Sequence, residues 1–92
     1  MFKSIAKRLE ELGFKKIEED NLGASYSRVV PINDDIYVHR LDIVHKASGR
    51  HLIQSYEEDV NKDGFNNVVG LNYETTRLAM KKYRQLKRKY KW

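Results

Sequence analysis

Two runs of residues near the middle of the chain are rich in β-branched and aromatic side chains, which is typical of β-strands. The runs extend from Ile36 to Lys46 and from Arg50 to Tyr56, and a short loop that contains Gly49 joins them. Gly49 suits a type I turn followed by a G1 bulge, because that bulge requires a left-handed residue at the third loop position. Closing Lys46 on Arg50 predicts a hairpin whose opposite partners have residue numbers that sum to 96.

The predicted register assigns the side chains of this hairpin to two faces, and both faces contain apolar residues. We expect the face with Ile43 and Ile53 to point inward. A bulge near His39 and Arg40 is the alternative, because it would switch the parity of the strand. The predicted partners are Leu41 with Ser55, Ile43 with Ile53 and His45 with His51 on one face, and Arg40 with Tyr56, Asp42 with Gln54 and Val44 with Leu52 on the other.

A second hairpin is predicted from residues 15–19 and 24–30, around a four-residue loop. This loop would place Glu19 opposite Ala24 and Ile17 opposite Tyr26, which gives the hairpin an apolar pair. The first arm is rich in charged residues, so we expect it to be an edge strand, where charge discourages pairing with another chain.

Helical spacing of apolar residues appears at both ends of the chain. The first helix is predicted over residues 2–12, with Gly13 as its left-handed cap and Phe14 folded back onto Leu9. Asn72 suits the N-cap of the last helix, and Glu74 in its first turn suits the helix dipole. The apolar stripes are Phe2, Ile5, Ala6, Leu9 and Leu12 in the first helix, and Thr76, Ala79, Met80, Tyr83, Leu86, Lys87 and Tyr90 in the last.

These elements predict one α+β domain over residues 1–92. Four strands in succession with short connections favour an antiparallel meander. We expect the amino- and carboxyl-terminal helices to pack on one face of a four-stranded sheet, in the order α-β-β-β-β-α.

Charge is distributed unevenly along the chain, which has a formal net charge of +5. Eight of the 18 basic residues and none of the 13 acidic residues lie between Arg77 and Trp92. The preceding 76 residues therefore hold ten basic and 13 acidic residues, a net charge of −3. Such a split indicates either a polyanionic partner or docking of the basic end against the acidic body.

The basic last helix is the strongest functional signal, because nucleic-acid backbones are bound through rows of Lys and Arg. Tyr83, Tyr90 and Trp92 interleave with the charges, and such rings can stack on unpaired bases. We therefore predict a non-catalytic accessory domain that binds DNA or RNA. The alternatives are a solvated helix that complements its own dipole, an acidic protein partner, and an adaptor, inhibitor or homodimer that uses the open sheet face. The predicted nucleic-acid-binding residues are Arg77, Lys81, Lys82, Arg84, Arg88, Lys89 and Lys91.

Other site patterns are incomplete. Residues 59–64 match the start of an EF-hand loop, but Gly70 occupies the twelfth position, where a bidentate Glu belongs. His45 and His51 should lie opposite each other, yet two imidazoles without a third ligand make a poor metal site. The sequence contains no nucleophile motif, P-loop or dinucleotide fingerprint. We expect neither enzyme activity nor a metal or cofactor.

The sequence lacks Cys, which excludes disulfides and thiolate chemistry and suits a reducing compartment. No apolar run approaches the length of a signal peptide or of a membrane span. We therefore expect a cytoplasmic protein without a membrane partner.

Two resemblances concern the whole chain. Leu12-Gly13-Phe14-Lys15-Lys16, followed by Tyr26-Ser27-Arg28, resembles small uncharacterised proteins from phages and prophages of Gram-positive bacteria. That resemblance implies an α+β domain of unassigned role and carries over no functional residues. The helix–strands–helix order is similar to the double-stranded RNA-binding domain, whose basic cluster opens the final helix. Here the final helix opens with Asn72-Tyr73-Glu74 and its basic cluster comes later, a departure from that family's mode of RNA binding.

Overall fold

A computed structural model describes residues 4–32, 35–58 and 67–92. The predicted order of two helices around four antiparallel strands is confirmed, with a two-residue strand added after the fourth. The elements are α1 (Ile5–Glu11), β1 (Lys15–Asp20), β2 (Gly23–Ile32), β3 (Asp35–His45), β4 (His51–Glu58), β5 (Asn67–Val68) and α2 (Tyr73–Lys89).

The strands form one antiparallel sheet in sequence order, from β1 at one edge to β5 at the other. The predicted register of the β3–β4 hairpin is confirmed at every pair, from Arg40 opposite Tyr56 to His45 opposite His51. The N–H of Lys46 donates to the carbonyl of Arg50 at 2.9 Å, and Gly49 has a φ of +86°. The tight loop thus determines the register, as turn geometry does in short hairpins.

The β1–β2 hairpin was predicted only in part. Glu19 lies opposite Ala24 as expected, but Tyr26 pairs with Lys16, because a bulge interrupts β1 between Lys16 and Glu18. The predicted pairing of Ile17 with Tyr26 is therefore wrong, and the side chain of Ile17 is 50% exposed. A bulge at a sheet edge twists the strand and terminates regular pairing, which protects the edge against other chains.

Local capping determines where both helices end. Gly13 has a φ of +93°, its N–H donates to the carbonyl of Glu10, and the N–H of Phe14 donates to that of Leu9. These two bonds form a Schellman motif, so the predicted glycine cap is confirmed. Asn72 caps α2, because its side-chain oxygen accepts the N–H of Thr75 at 2.8 Å. Phe2, the first residue of the predicted apolar stripe, lies outside the described residues.

Both helices pack on the sheet face that carries the odd-numbered residues of β3, and Ile43 points inward as expected. The register of β3 against β2 and β4 is continuous through His39, so the alternative bulge does not occur there. The buried face of α2 is rotated from the predicted apolar stripe, since Thr76 and Met80 are exposed and Lys82 is buried. The core consists of Leu9, Phe14, Ala24, Tyr26, Leu41, Ile43, Leu78, Ala79 and Leu86.

The buried face of α2 repeats at three and four residues and contains one charged side chain. Its members are Thr75, Leu78, Ala79, Lys82 and Leu86. Within the described ranges, no helix has the length and apolar character that crossing a membrane requires.

Candidate nucleic-acid interface

Helix α2 divides the basic residues predicted to bind nucleic acid into two groups. Steps of three and four residues place Arg77, Lys81, Arg84 and Arg88 on the side of the helix opposite to its buried face, and Lys91 follows them after the helix ends. We call this set the outward stripe: Arg77, Lys81, Arg84, Arg88 and Lys91. Four of the five are exposed and Lys81 is half-buried. Among the ion pairs between described residues, none engages a member of the outward stripe.

Lys82 and Lys89 face β1 instead. The Nζ of Lys82 lies 2.7 Å from Oε1 of Glu19 and donates to Oε1 of Gln85 at 2.7 Å. The Nζ of Lys89 lies 2.8 Å from Oε2 of the same Glu19. Lys82 is only 7% exposed, so its assignment to a nucleic-acid surface is corrected: it is a buried structural cation. Docking of the basic helix against the acidic body, one of the two predicted outcomes, accounts for these two lysines.

Glu19 is held in its charged form by these contacts. Burial alone would raise its pKa, but pairing with Lys82 and Lys89 outweighs burial and lowers the pKa to about 2. The carboxylate therefore stays ionised at neutral pH and offsets one of the two lysine charges. The positive charge that remains for an external partner lies on the outward stripe and in the last turns of α2.

The aromatic residues that interleave with the basic ones are half-buried, and two of them, Tyr83 and Trp92, pack against the histidine pair. The ring of Trp92 stacks on His45 with centroids 4.8 Å apart and on His51 at 5.2 Å. Its Nε1 donates to the carbonyl of Asn21 at 3.0 Å, and Tyr83 packs against His51 at 5.2 Å. These rings hold α2 to the tips of both hairpins, which leaves the cations as the main candidates for contact with nucleic acid.

A bend after α2 brings Trp92 into this position. Lys91 adopts a φ of +54°, and no other non-glycine residue in the described ranges has a positive φ. The N–H of Trp92 then donates to the carbonyl of Lys87 at 3.1 Å, as in a Schellman motif. A left-handed Lys costs about 1 kcal/mol or more, so the contacts of Trp92 must offset that strain.

His45 and His51 lie opposite each other as predicted, and their contact disfavours a metal ion between them. Nδ1 of His45 is 2.9 Å from Nε2 of His51, which is closer than two nitrogens that each stand about 2.0 Å from one tetrahedral metal. No cluster of three metal-ligating side chains occurs among the residues that the structure describes. The EF-hand-like segment, residues 59–70, lies largely outside the described residues.

The contact between His39 and Ser55 places the imidazole proton on the wrong nitrogen for activating the serine as a nucleophile. Nε of Arg28 donates to Nδ1 of buried His39 at 3.0 Å, so Nε2 of His39 carries the proton and donates to Oγ of Ser55 at 2.5 Å. A general base would instead need an unprotonated Nε2 that accepts the serine proton. Burial and the neighbouring Arg28 lower the pKa of His39, so this network serves the packing of Phe14 and the sheet.

The open sheet face carries a hydrogen-bonded polar centre. Asp42 is 6% exposed and accepts hydrogen bonds from Nε2 of Gln54 at 3.1 Å and from the hydroxyl of Tyr56 at 2.7 Å. Burial and the charge of Asp42 raise the pKa of Tyr56 to about 12. Nη2 of Arg40 lies 3.6 Å from Asp42, and the exposed apolar residues Val29 and Leu52 flank this centre. This face is the surface that the adaptor alternative requires.

Sequence reasoning missed Glu19 as the partner of Lys82 and Lys89. A signal existed, since Lys82 stands four residues after Leu78 and four before Leu86, in the middle of an apolar stripe. It also missed the stacking of Trp92 on the histidine pair, for which the sequence offers no local signal, because the residues in contact are more than 40 positions apart.

Comparison with known proteins adds no functional assignment to this geometry. No family model, curated protein or solved structure matches the chain.

Proposed function

We propose that this chain is a non-catalytic binding domain that contacts the backbone of nucleic acid through the outward stripe of α2. The observation that carries the proposal is the difference between the two groups of cations. Lys82 and Lys89 both pair with Glu19, whereas the five residues of the outward stripe have no ion-pair partner in the part of the chain that the structure describes.

Complementing the helix dipole does not by itself account for the stripe. Cations are favourable near the carboxyl end of a helix and unfavourable near the amino end. Arg77 is the fifth residue of α2, and Lys81 lies in its middle. These two positions gain little from the dipole, so a row that begins at Arg77 fits an external polyanion better than a dipole complement.

The length of the stripe suits a nucleic-acid backbone. From Arg77 to Arg88 the helical rise is about 17 Å, which is long enough to contact several successive phosphates of one strand. With three to five phosphate contacts, the logarithm of affinity should fall with the logarithm of salt with a slope of about −3 to −4. Because the rings of Tyr83 and Trp92 are already engaged in packing against the histidine pair, we expect duplex to bind at least as well as single strands.

Titration of labelled duplex and single-stranded oligonucleotides at about 50 mM salt tests the proposal. The double variant Arg84→Glu/Arg88→Glu should nearly abolish binding. The matched control is Lys7→Glu/Lys46→Glu, which makes the same change of charge at exposed residues outside α2 and should weaken binding much less. Equal losses in the two variants, or no binding by the unmodified chain below about 100 μM, would contradict the proposal.

The adaptor alternative stays a prediction, favoured by one observation. Val29 is 63% exposed and Leu52 is 36% exposed on the open sheet face, beside the Asp42 centre. If nucleic acid fails to bind, sedimentation of the chain across a concentration series tests self-association through this face, with Leu52→Glu as the variant that should prevent it.

A further inference from the structure

The outer edge of β4 offers backbone groups to another strand. In an antiparallel pair, residues alternate between those bonded to the neighbouring strand and those whose N–H and C=O point away from it. The bond from Lys46 to Arg50 makes that pair a bonded one, so His51, Ile53 and Ser55 direct their backbone groups away from β3. The carbonyl of Ser55 points away from β3, as its hydrogen bond from the N–H of Val69 at 3.0 Å shows.

Strand β5 covers only part of this edge. It pairs with Tyr56 and Glu57, and Val69 after it bonds to the carbonyl of Ser55. The backbone N–H and C=O groups of His51 and Ile53 that point away from β3 form no backbone hydrogen bond with any described residue. The other edge of the sheet is protected by the bulge and charges of β1. The described part of the sheet thus has one blunted edge and one edge with pairing groups in register.

A cleft runs beside this open edge. It has a volume of about 390 Å³ and is lined by His51, Leu52, Ile53, Met80 and Tyr83. Met80 is 40% exposed at its rim. A side chain of an added strand that stood opposite Ile53 would share its face and meet Met80 and Tyr83, so the cleft suits an apolar residue at alternate positions.

The charge around the cleft is positive. Arg50 lies at its β4 end and Lys87 lies on the same flank of α2 as Met80 and Tyr83, and both are exposed. Lys87 is close enough to lower the pKa of His51, after burial and His45. A second copy paired at this edge would bring the same cations together, so charge complementarity favours an acidic partner over a second copy.

We propose that β4 binds an extended acidic peptide by strand addition, with the peptide backbone on His51 and Ile53 and its apolar side chains in the cleft beside Met80. This interaction differs from the nucleic-acid proposal, because its backbone contacts lie on β4, although Met80 neighbours Arg77 and Arg84 on the surface of α2. The peptide would be a segment of a partner protein in which acidic and apolar residues alternate.

A capped synthetic peptide of roughly six residues, the usual length of a strand, that alternates valine and glutamate is the probe. The amide signals of His51 and Ile53 should shift saturably on titration. The same peptide with lysine in place of glutamate should bind about tenfold more weakly, because its charges would be repelled by Arg50 and Lys87. N-methylation at alternate peptide bonds should abolish binding for one of the two possible sets and spare the other, because alternate N–H groups face β4.

Protein variants locate the site on α2. Met80→Glu, which adds a negative charge at the cleft, should weaken peptide binding about tenfold. The matched control Ile17→Glu makes the same kind of change at an exposed apolar residue on the opposite edge of the sheet and should have little effect. Loss of the shifts at His51 and Ile53 should accompany loss of affinity.

Three results would overturn the proposal. The first is absence of binding by the valine–glutamate peptide. The second is binding that tolerates both N-methylated sets, which would indicate charge attraction without strand addition. The third is concentration-dependent broadening at His51 and Ile53 without peptide, since a second copy would then occupy the edge.

Discussion

The two flanks of α2 are attached to the sheet by different kinds of interaction. Toward β1, Lys82 and Lys89 converge on the carboxylate of Glu19. Toward β4, the ring of Trp92 stacks on the His45–His51 pair, and Tyr83 packs beside it. One flank therefore depends on a buried charge that must stay paired, and the other on the stacking of aromatic rings.

This difference shows how a strongly basic helix can pack on a sheet and still present cations to solvent. Burying a lysine is costly unless it is paired and hydrogen-bonded, and Glu19 with Gln85 meets that condition for Lys82. The aromatic flank needs no countercharge. The outward stripe is thereby left without intramolecular partners among the described residues, which is the condition for binding a polyanion.

The largest effect is expected from breaking the pair on the β1 flank. Glu19→Gln leaves Lys82 buried without its countercharge, and such a loss costs about 3–5 kcal/mol. Denaturant unfolding measures the change. Lys89→Gln is the matched control, because Lys89 is more than half exposed and an exposed pair contributes about 0–1 kcal/mol.

A charge-free replacement sharpens this prediction. Glu19→Leu combined with Lys82→Met should recover most of the lost stability, since apolar residues of similar volume often substitute for a buried ion pair. A double variant as unstable as Glu19→Gln would show that the flank depends on packing that these side chains alone provide.

A smaller effect is expected from truncating the β4 flank. Trp92→Ala removes the stack on both histidines and the bond to Asn21, and we expect a loss of about 2 kcal/mol from a half-buried aromatic ring. Trp92→Phe keeps stacking but removes the Nε1 bond, so it should cost about 1 kcal/mol. If Trp92→Ala has no effect on unfolding, the strained Lys91 bend and the stack do not contribute to docking of the helix.

The smallest effect is expected from mild acid, and it should distinguish the flanks. Burial, with His45 and Lys87, lowers the pKa of His51 below its ordinary value of 6.5, and burial with Arg28 lowers that of His39. Below about pH 6.5 the unfolded chain therefore binds more protons than the folded chain. The contribution of these histidines to the free energy of unfolding is complete above about pH 6.5 and is lost as the pH falls through their lowered pKa values. Fluorescence of Trp92, the single tryptophan, reports the β4 flank in this range.

The β1 flank should respond at lower pH. The pKa of Glu19 is lowered from 4.5 to about 2, so its contribution is full above pH 4.5 and is lost as pH falls toward 2. Thermal unfolding at pH 7, 5 and 3 should therefore show the β4 loss before the β1 loss. A single transition of both flanks near pH 4 would contradict the assignment of separate titrating groups.

The sequence by itself determined the features that arise from neighbouring residues. The Lys46–Arg50 closure with Gly49 sets the β3–β4 register, while Gly13 and Asn72 set helix ends. Each of these rests on contacts across at most five positions, where backbone geometry limits the alternatives.

Tertiary structure decided what depends on distant partners. Lys82 looks solvent-facing by residue type, but Glu19, 63 positions earlier, makes its burial possible and rotates the buried face of α2 toward it. The bulge at Ile17 and the position of Trp92 likewise depend on how β1 and the hairpin tips meet the rest of the molecule. A buried charge is favourable only when its partner is in place, and the local pattern of residues does not contain that partner.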